Sequence, residues 1–440
     1  MREDASREDE KHDSTTSTRI IEPMAAETEG PEVALPPQEL DVPDGGLVGW
    51  LQVVSGFLIF MDTWGIVNTY GAFQTIYELD ILKSSTPSAI AWIGSIQGFI
   101  LLLVGSPAGV VFDRGYFHSL VFSGAVLIFF GMLMTSFGTQ YYQILLAQGV
   151  CVGLGTGMMY IPCVAVIASY FKRRRAFALG IVASGSGLGG VIFPAILLQL
   201  QPRIGFAWAT RVIALIILVT LALAVALLRR RIVPAHKRKL IDATAFRDPG
   251  YVIFTLGLTV GFMGSYIPYY YISAYATSKT SASATLALYL VPILNAASVP
   301  GRIVPNIAAD RIGSVNTIGP CVLVCGLLVF CWPAIHSLGA LVAFALLYGF
   351  FAGTFVSLTS AALVNLTEDM RLVGTRVGMS FTCAGAGILI GNPVAGALIN
   401  IPAGDFARMQ FFSAALVMAS GCLFVAARFA KVGMRWDAWI

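Results

Sequence analysis

A helix needs ~20 predominantly apolar residues to cross ~30 Å of hydrocarbon at ~1.5 Å per residue. From Gly46 onward this sequence supplies twelve such stretches. They lie near 47–70, 89–111, 118–137, 143–170, 176–198 and 207–229, then near 251–273, 284–307, 315–333, 338–363, 376–400 and 407–430. Neighbouring boundaries blur by several residues, so the same pattern accommodates eleven or thirteen. Only 12% of the chain is charged, about half the ~25% of an ordinary soluble domain. A soluble fold cannot hide this much apolar helix. The expectation is an all-α polytopic membrane protein, and membrane transport is the first function to test.

Other classes fall away. A formal net charge of +4, scattered along the chain, points to no nucleic-acid partner. The seven cysteines all fall inside apolar stretches with no CxxC, and Cys321 and Cys325 have no partnering histidines. They read as small apolar packers. Four histidines, His12, His118, His236 and His336, show no metal-ligand spacing. Gly185-Ser-Gly187-Leu-Gly189-Gly190 satisfies GxGxxG formally but has no βαβ pattern around it, and no Walker A sequence occurs. Neither a metal nor a cofactor is expected, and no catalytic set of side chains is apparent. An ion gradient is left as the energy source.

The ends differ from the middle. Residues 1–43 are densely charged, then Ser/Thr- and Pro-rich, which predicts a disordered tail rather than a secretory signal. The first membrane helix then serves as its own targeting signal, and a tail of residues 431–440 leaves no room for a C-terminal domain. Lys and Arg in short loops set orientation. With the N-terminus inside, Arg114, Lys172–Arg175, Arg229 to Lys239, Arg247, Arg311, Arg371, Arg376, Arg428, Lys431 and Arg435 are cytosolic. Only Lys83, Arg203, Arg211, Lys279 and Arg408 face the other side. Both termini are therefore expected in the cytosol, and the sequon at Asn365 should stay unglycosylated. The basic linker, residues 230–249, divides the chain into six-helix bundles over 44–229 and 250–430, as in a carrier built from two parallel halves. Its cations suit anionic lipid headgroups.

One signal occurs twice. Span two ends in Gly109-Val-Val-Phe-Asp113-Arg114-Gly115, and span eight ends in Pro305-Asn306-Ile-Ala-Ala-Asp310-Arg311-Ile-Gly313. An acid–base pair at a helix end can bind loop charges or helix termini in one conformation and release them in another, so both copies are candidate gating loops. These copies resemble the hallmark loop of the major facilitator superfamily, Gly-x-x-x-Asp-Arg-x-Gly, although the first places Gly115 directly after Arg114. Pro43-Asp44-Gly45-Gly46, with Gly49-Trp50 after it, resembles the opening of the monocarboxylate-transporter family. Tyr70-Gly71-Ala-Phe73-Gln74, Asp113 to Phe117 and Gly301-Arg302 are similar to its fungal-type branch. The resemblance runs from about residue 43 to 430. It implies twelve helices in two pseudo-symmetric bundles and a carrier that works as a monomer. Small residues at four-residue spacing (Gly149, Gly153 and Gly157; Gly185 and Gly189; Gly387 and Gly391) predict close helix contacts.

Ionisable residues inside a span are functional candidates by default. Arg302 sits about 12 Å deeper than Asp310 along span eight. The resemblance implies that it engages an anionic substrate, and a guanidinium suits a carboxylate. Asp62 in span one is a candidate for the coupled proton, or else caps a broken helix or faces water. Arg211 beside Trp208 reads as an interface anchor. Asn68, Tyr70, Gln97 and Asn295 are candidate substrate contacts, and Gln74 and Gln148 are further polar residues within spans. Family members with proton-coupled uptake pair the arginine with an aspartate where Ser298 stands, and use a lysine that aligns roughly with Asn68. Anion recognition survives this comparison; proton-coupled uptake does not follow from it. The expected function is alternating-access transport of a small organic anion, with export of a metabolite favoured partly because Tyr266, Tyr269, Tyr270 and Tyr271 suit a bulky substrate. Proton-linked uptake of a monocarboxylate or vitamin is the alternative, and a nutrient sensor a remote one. The plasma membrane is the expected location.

Overall fold

The computed structural model describes residues 45–172, 174–231, 240–280, 282–367, 369, 372–400 and 404–433. The tail expected to be disordered, residues 1–43, lies outside the described residues, as do residues 232–239 of the basic linker, Arg173, Arg371 and Arg435. Among the described residues, eleven helices are long and apolar enough to cross a membrane. One of these, Arg175–Leu227, has 53 residues. At ~1.5 Å per residue it would extend ~80 Å, far beyond one bilayer. Gly205, at φ 78° and ψ 164°, breaks it. The eleven helices therefore make twelve crossings, with the break between the fifth and sixth stretches read from the sequence.

We label the crossings α1 (Gly46–Ile81), α2 (Pro87–Asp113), α3 (Phe117–Thr135), α4 (Tyr141–Tyr170), α5 (175–204) and α6 (206–227). The second half comprises α7 (Pro249–Lys279), α8 (Ala284–Ile312), α9 (Ser314–Ala334), α10 (Leu338–Leu366), α11 (Val373–Leu398) and α12 (Ala407–Val432). Helix starts are written locally. The side chains of Thr86, Asp248, Ser283 and Ser337 cap α2, α7, α8 and α10, with Pro87 and Pro249 in the first turn where no amide is needed.

Packing repeats between the halves. In the first half α1 lies on α5, α2 on α4, and α3 on α6; in the second, α7 lies on α11, α8 on α10, and α9 on α12. Two reciprocal seams join the halves, α2 against α11 and α5 against α8. The glycine pairs explain how backbones come so close without a hydrophobic drive. A Cβ at Gly185 would lie 2.1 Å from the Phe57 carbonyl oxygen, and one at Gly189 2.5 Å from that of Met61. In the other half, a Cβ at Gly387 would lie 2.2 Å from the Thr259 oxygen and one at Gly391 1.9 Å from the Met263 oxygen. Outer helices turn apolar faces outward: Phe122 and Phe130 on α3 and Leu215 and Val219 on α6 are at least half exposed, as lipid contact requires.

Candidate substrate site

Both inner helices that open the halves are broken near their middles. In α1 the helix stops at Asp62 and resumes at Trp64, with Thr63 at φ −101° and ψ −80°. In α7 it stops at Ser265 and resumes at Ile267. Trp64 and Tyr266, at the two breaks, stack with ring centroids 6.4 Å apart. Around them gather Tyr160 (5.7 Å from Trp64), Phe262 (6.1 Å from Tyr266) and Tyr269 (5.4 Å from Tyr266). Phe381 closes the ring 5.9 Å from Tyr160. Four helices, α1, α4, α7 and α11, thus contribute to an aromatic cage between the halves. Of its members only Tyr266 and Tyr269 stood out in the sequence. Trp64, Tyr160, Phe262 and Phe381 did not, because aromatics are common throughout the spans.

Arg302 stands beside this cage and is 1% exposed. Its Nη1 donates to the Ala183 carbonyl of α5 at 2.8 Å, and its Nε has no hydrogen-bond partner. Among the described residues no carboxylate pairs with it, and the Tyr266 and Tyr269 hydroxyls stand beside it. Asn68 docks one turn away on α5, its Nδ2 donating to the Ser186 carbonyl at 3.3 Å, while Tyr266 donates to its Oδ1 at 3.4 Å. Asn295 continues the line. A Cβ on Gly190 would touch its amide at 2.4 Å, and its Oδ1 has no partner. Ala183, Ser186 and Gly190 share one face of α5. That face gathers three of the expected contacts, Arg302, Asn68 and Asn295.

The other candidates lie elsewhere. Tyr70 donates to the Ile90 carbonyl at 2.5 Å and packs on Tyr270 with centroids 5.0 Å apart, away from the Arg302 wall. Gln97 is fully buried in α2, with both amide atoms lacking partners. Asp62 is fully buried and accepts from the Thr220 hydroxyl of α6 at 2.7 Å, entirely within the first half. Arg211 stacks on Trp208 and Phe137, as an anchor would.

The two faces of the seam differ. A cavity of about 400 Å³ opens between the halves on the face that carries the Asp-Arg loops, lined by Ala165, Lys172, Leu179, Asp310, Ser360 and Val377 among others. Ser360 on its wall is hydrogen-bonded to the Tyr160 hydroxyl of the cage. On the opposite face the seam is shut. A Cβ at Gly71 would lie 2.1 Å from the Tyr269 oxygen, and one at Gly94 2.4 Å from the Tyr270 hydroxyl. Ser88 on α2 also donates to the Pro393 carbonyl of α11 at 2.8 Å. Of the candidate gating residues, Asp310 accepts from the backbone N–H groups of Ala176 and Phe177 at the start of α5, bridging the halves at a helix N-terminus. Gly109 and Asp113 are buried, and Arg114 and Arg311 are exposed. Gly115 (φ 102°) and Gly313 (φ 99°) occupy equivalent left-handed positions after their helices. The displaced glycine of the first copy therefore does the same job one residue earlier.

The sequence profile described as Major Facilitator Superfamily matches residues 53–338. The chain belongs to that superfamily. Its relatives include the MFS-type transporter dbaD of Emericella nidulans, 46% identical, covering 81% of this chain and 80% of the relative. The aspyridones efflux protein apdF of the same organism is 37% identical over 88% of this chain and 79% of its own length. The fujikurins efflux protein of Gibberella fujikuroi is 31% identical over 96% and 94%. For a superfamily transporter, two repeated halves, a cavity leading toward a central polar-aromatic site and a closely packed seam opposite are the parts that alternating access requires.

Proposed function

We propose that this transporter exports an acidic, ring-bearing secondary metabolite by alternating access, through a site centred on Arg302. The carrying observation is the buried guanidinium: among the described residues it has a partnerless Nε and no paired carboxylate, and an aromatic cage stands beside it. Burying a charge without a counter-ion costs several kcal/mol. An incoming anion offsets that cost through two parallel hydrogen bonds, while its ring system fills the cage. Asn68 and Asn295 supply neutral donors and acceptors along the same wall. Efflux, rather than uptake, is supported by the names of two relatives. Ser298 leaves the arginine without the acid that proton-coupled uptake uses in the monocarboxylate-like branch, to which we assign the chain on its motifs. In this reading the Asp-Arg face and both termini are cytosolic, the carrier sits in the plasma membrane and works as a monomer, and an ion gradient, with H+ the candidate, drives it.

Untargeted metabolite profiling of cells and medium, with the gene deleted and overexpressed, tests the proposal. An acidic compound building up inside deleted cells and leaving overexpressing ones is the expected result. A compound left behind in the medium of deleted cells overturns export and makes the protein an importer.

A further inference from the structure

Rocking of two halves changes the surroundings only of groups that lie on the seam between them. Asp62 does not qualify, because it and its partner Thr220 both belong to the first half. Glu78 does. It sits on the last turn of α1, Tyr77–Ile81, which winds as a π-helix and closes with Leu82 N–H donating to the Tyr77 carbonyl at 2.7 Å. Such turns re-aim side chains and recur at functional sites. One carboxylate oxygen accepts from Gln74 Nε2 at 2.9 Å. Gln74 in turn is 1% exposed and lies against the Tyr271 hydroxyl of the opposite half. Tyr271 donates to the Asn392 carbonyl of α11 at 3.1 Å.

Glu78 also lines a cavity of about 320 Å³ that straddles the seam, with Thr75 and Ser85 from the first half and Ser273, Thr277 and Leu288 from the second. Its titratable neighbours are Tyr70 and Tyr77 on α1 and Tyr271 on α7. The start of α2 contributes Ser85 and Pro87, and α8 contributes Ala287 and Leu288, none of them titratable. Asp80, Lys83 and Lys279 are exposed, and among the described residues no cation pairs with Glu78.

We propose that Glu78 is a proton-binding site that latches the gate opposite the Asp-Arg face, holding a proton when the seam is shut and releasing it to that side when the seam opens. A carboxyl half-buried beside tyrosines and the Gln74 amide, with no cation paired to it among the described residues, is less costly to hold there as the neutral acid. Opened to water, it is stable as the carboxylate. Closing takes up one proton from the medium on that side, opening returns it, and only the carboxyl O–H bond forms or breaks. Acidity on that side therefore favours the shut seam. This rests on alternating access but not on the direction of transport, so an importer would carry the same latch.

The test needs no substrate. Spin labels at Ser85→Cys and Thr277→Cys, on the full chain with native cysteines replaced, read the distance across the seam by pulsed electron resonance. Acidification from neutral to mildly acidic pH is expected to collapse the distances onto the short, shut population. Glu78→Gln should stay shut at both pH values, whereas Glu78→Asp and Asp62→Asn should keep the response. With native cysteines intact, infrared difference spectra give an independent readout: a carboxyl band that titrates in the wild type and in Asp62→Asn, and is missing in Glu78→Gln. A pH-insensitive seam in the wild type, or an undiminished response in Glu78→Gln, overturns the proposal.

Discussion

Arg302 stands out in the sequence because a guanidinium in an apolar span has few affordable structural roles. Its surroundings do not stand out. Nothing in the order of residues says that Ala183, Ser186 and Gly190 form the wall on which Arg302, Asn68 and Asn295 converge, because α5 and α8 meet through a seam between sequence-distant segments. Asp62 was equally visible, yet only the fold shows that it faces Thr220 inside one half. The geometry at Arg302 makes a specific prediction. A lysine keeps the charge but loses the planar fork and the reach to the Ala183 carbonyl. Arg302→Lys is expected to lower export about tenfold or more, equivalent to ~1.4 kcal/mol, while the amount of monodisperse protein stays unchanged. Efflux assays in overexpressing cells, paired with size-exclusion profiles, check both parts. Wild-type export in the variant would remove Arg302 from the site.

The elements themselves were largely legible, since hydrophobic length alone specifies membrane helices. The break at Thr63 carries no Pro or Gly and was foreshadowed only as a capping role for Asp62. The break at Tyr266 has a local cause, because Pro268 has no amide to donate to the Gly264 carbonyl. The linker before α7 is an element fixed by tertiary contacts. Asp242 takes the Arg376 Nε at 3.0 Å, and Asp248 takes Arg376 Nη1 at 3.5 Å and Lys431 Nζ at 3.2 Å. Burial by itself would raise the Asp242 carboxyl, but the Thr244 hydroxyl, the Arg376 guanidinium and the Thr244 amide outweigh it and hold the group below the ordinary carboxylate value. A depressed value in the folded state means stability present above the unfolded-state value and lost as pH falls through the folded one. Asp242→Asn is therefore expected to cost about 1–3 kcal/mol at neutral pH. The difference from wild type should vanish in strong acid, as thermal melts of detergent-purified protein at several pH values will show. A pH-independent difference would mean that packing, not charge, ties the linker to α11.

At the scale of the whole molecule, the reciprocal seams α2–α11 and α5–α8 join the two halves of the chain. The cavity lies on the Asp-Arg face, and the opposite face is sealed by the Gly71, Gly94 and Ser88 contacts. If rocking about the central site moves substrate, tying that seal must stop transport. A short, reducible thiol crosslinker joining Ser88→Cys to Pro393→Cys is expected to abolish export, and reductant to restore it. Either cysteine alone should export normally under the same reagent. Continued transport by the crosslinked pair would show that this seam need not open.

The sequence by itself determined the membrane fold, the two repeated halves, the duplicated Asp-Arg loops and Arg302 as an exceptional charge. Those features are local or periodic, and they follow from the cost of placing backbone and charge in hydrocarbon. Only the tertiary structure decided which polar residues share a wall, which aromatics form the cage, and that Glu78 rather than Asp62 lies on the seam between the halves. Such choices depend on contacts between residues far apart in sequence, set by glycine-mediated approaches that bring whole helices together, and no periodicity along the chain encodes them.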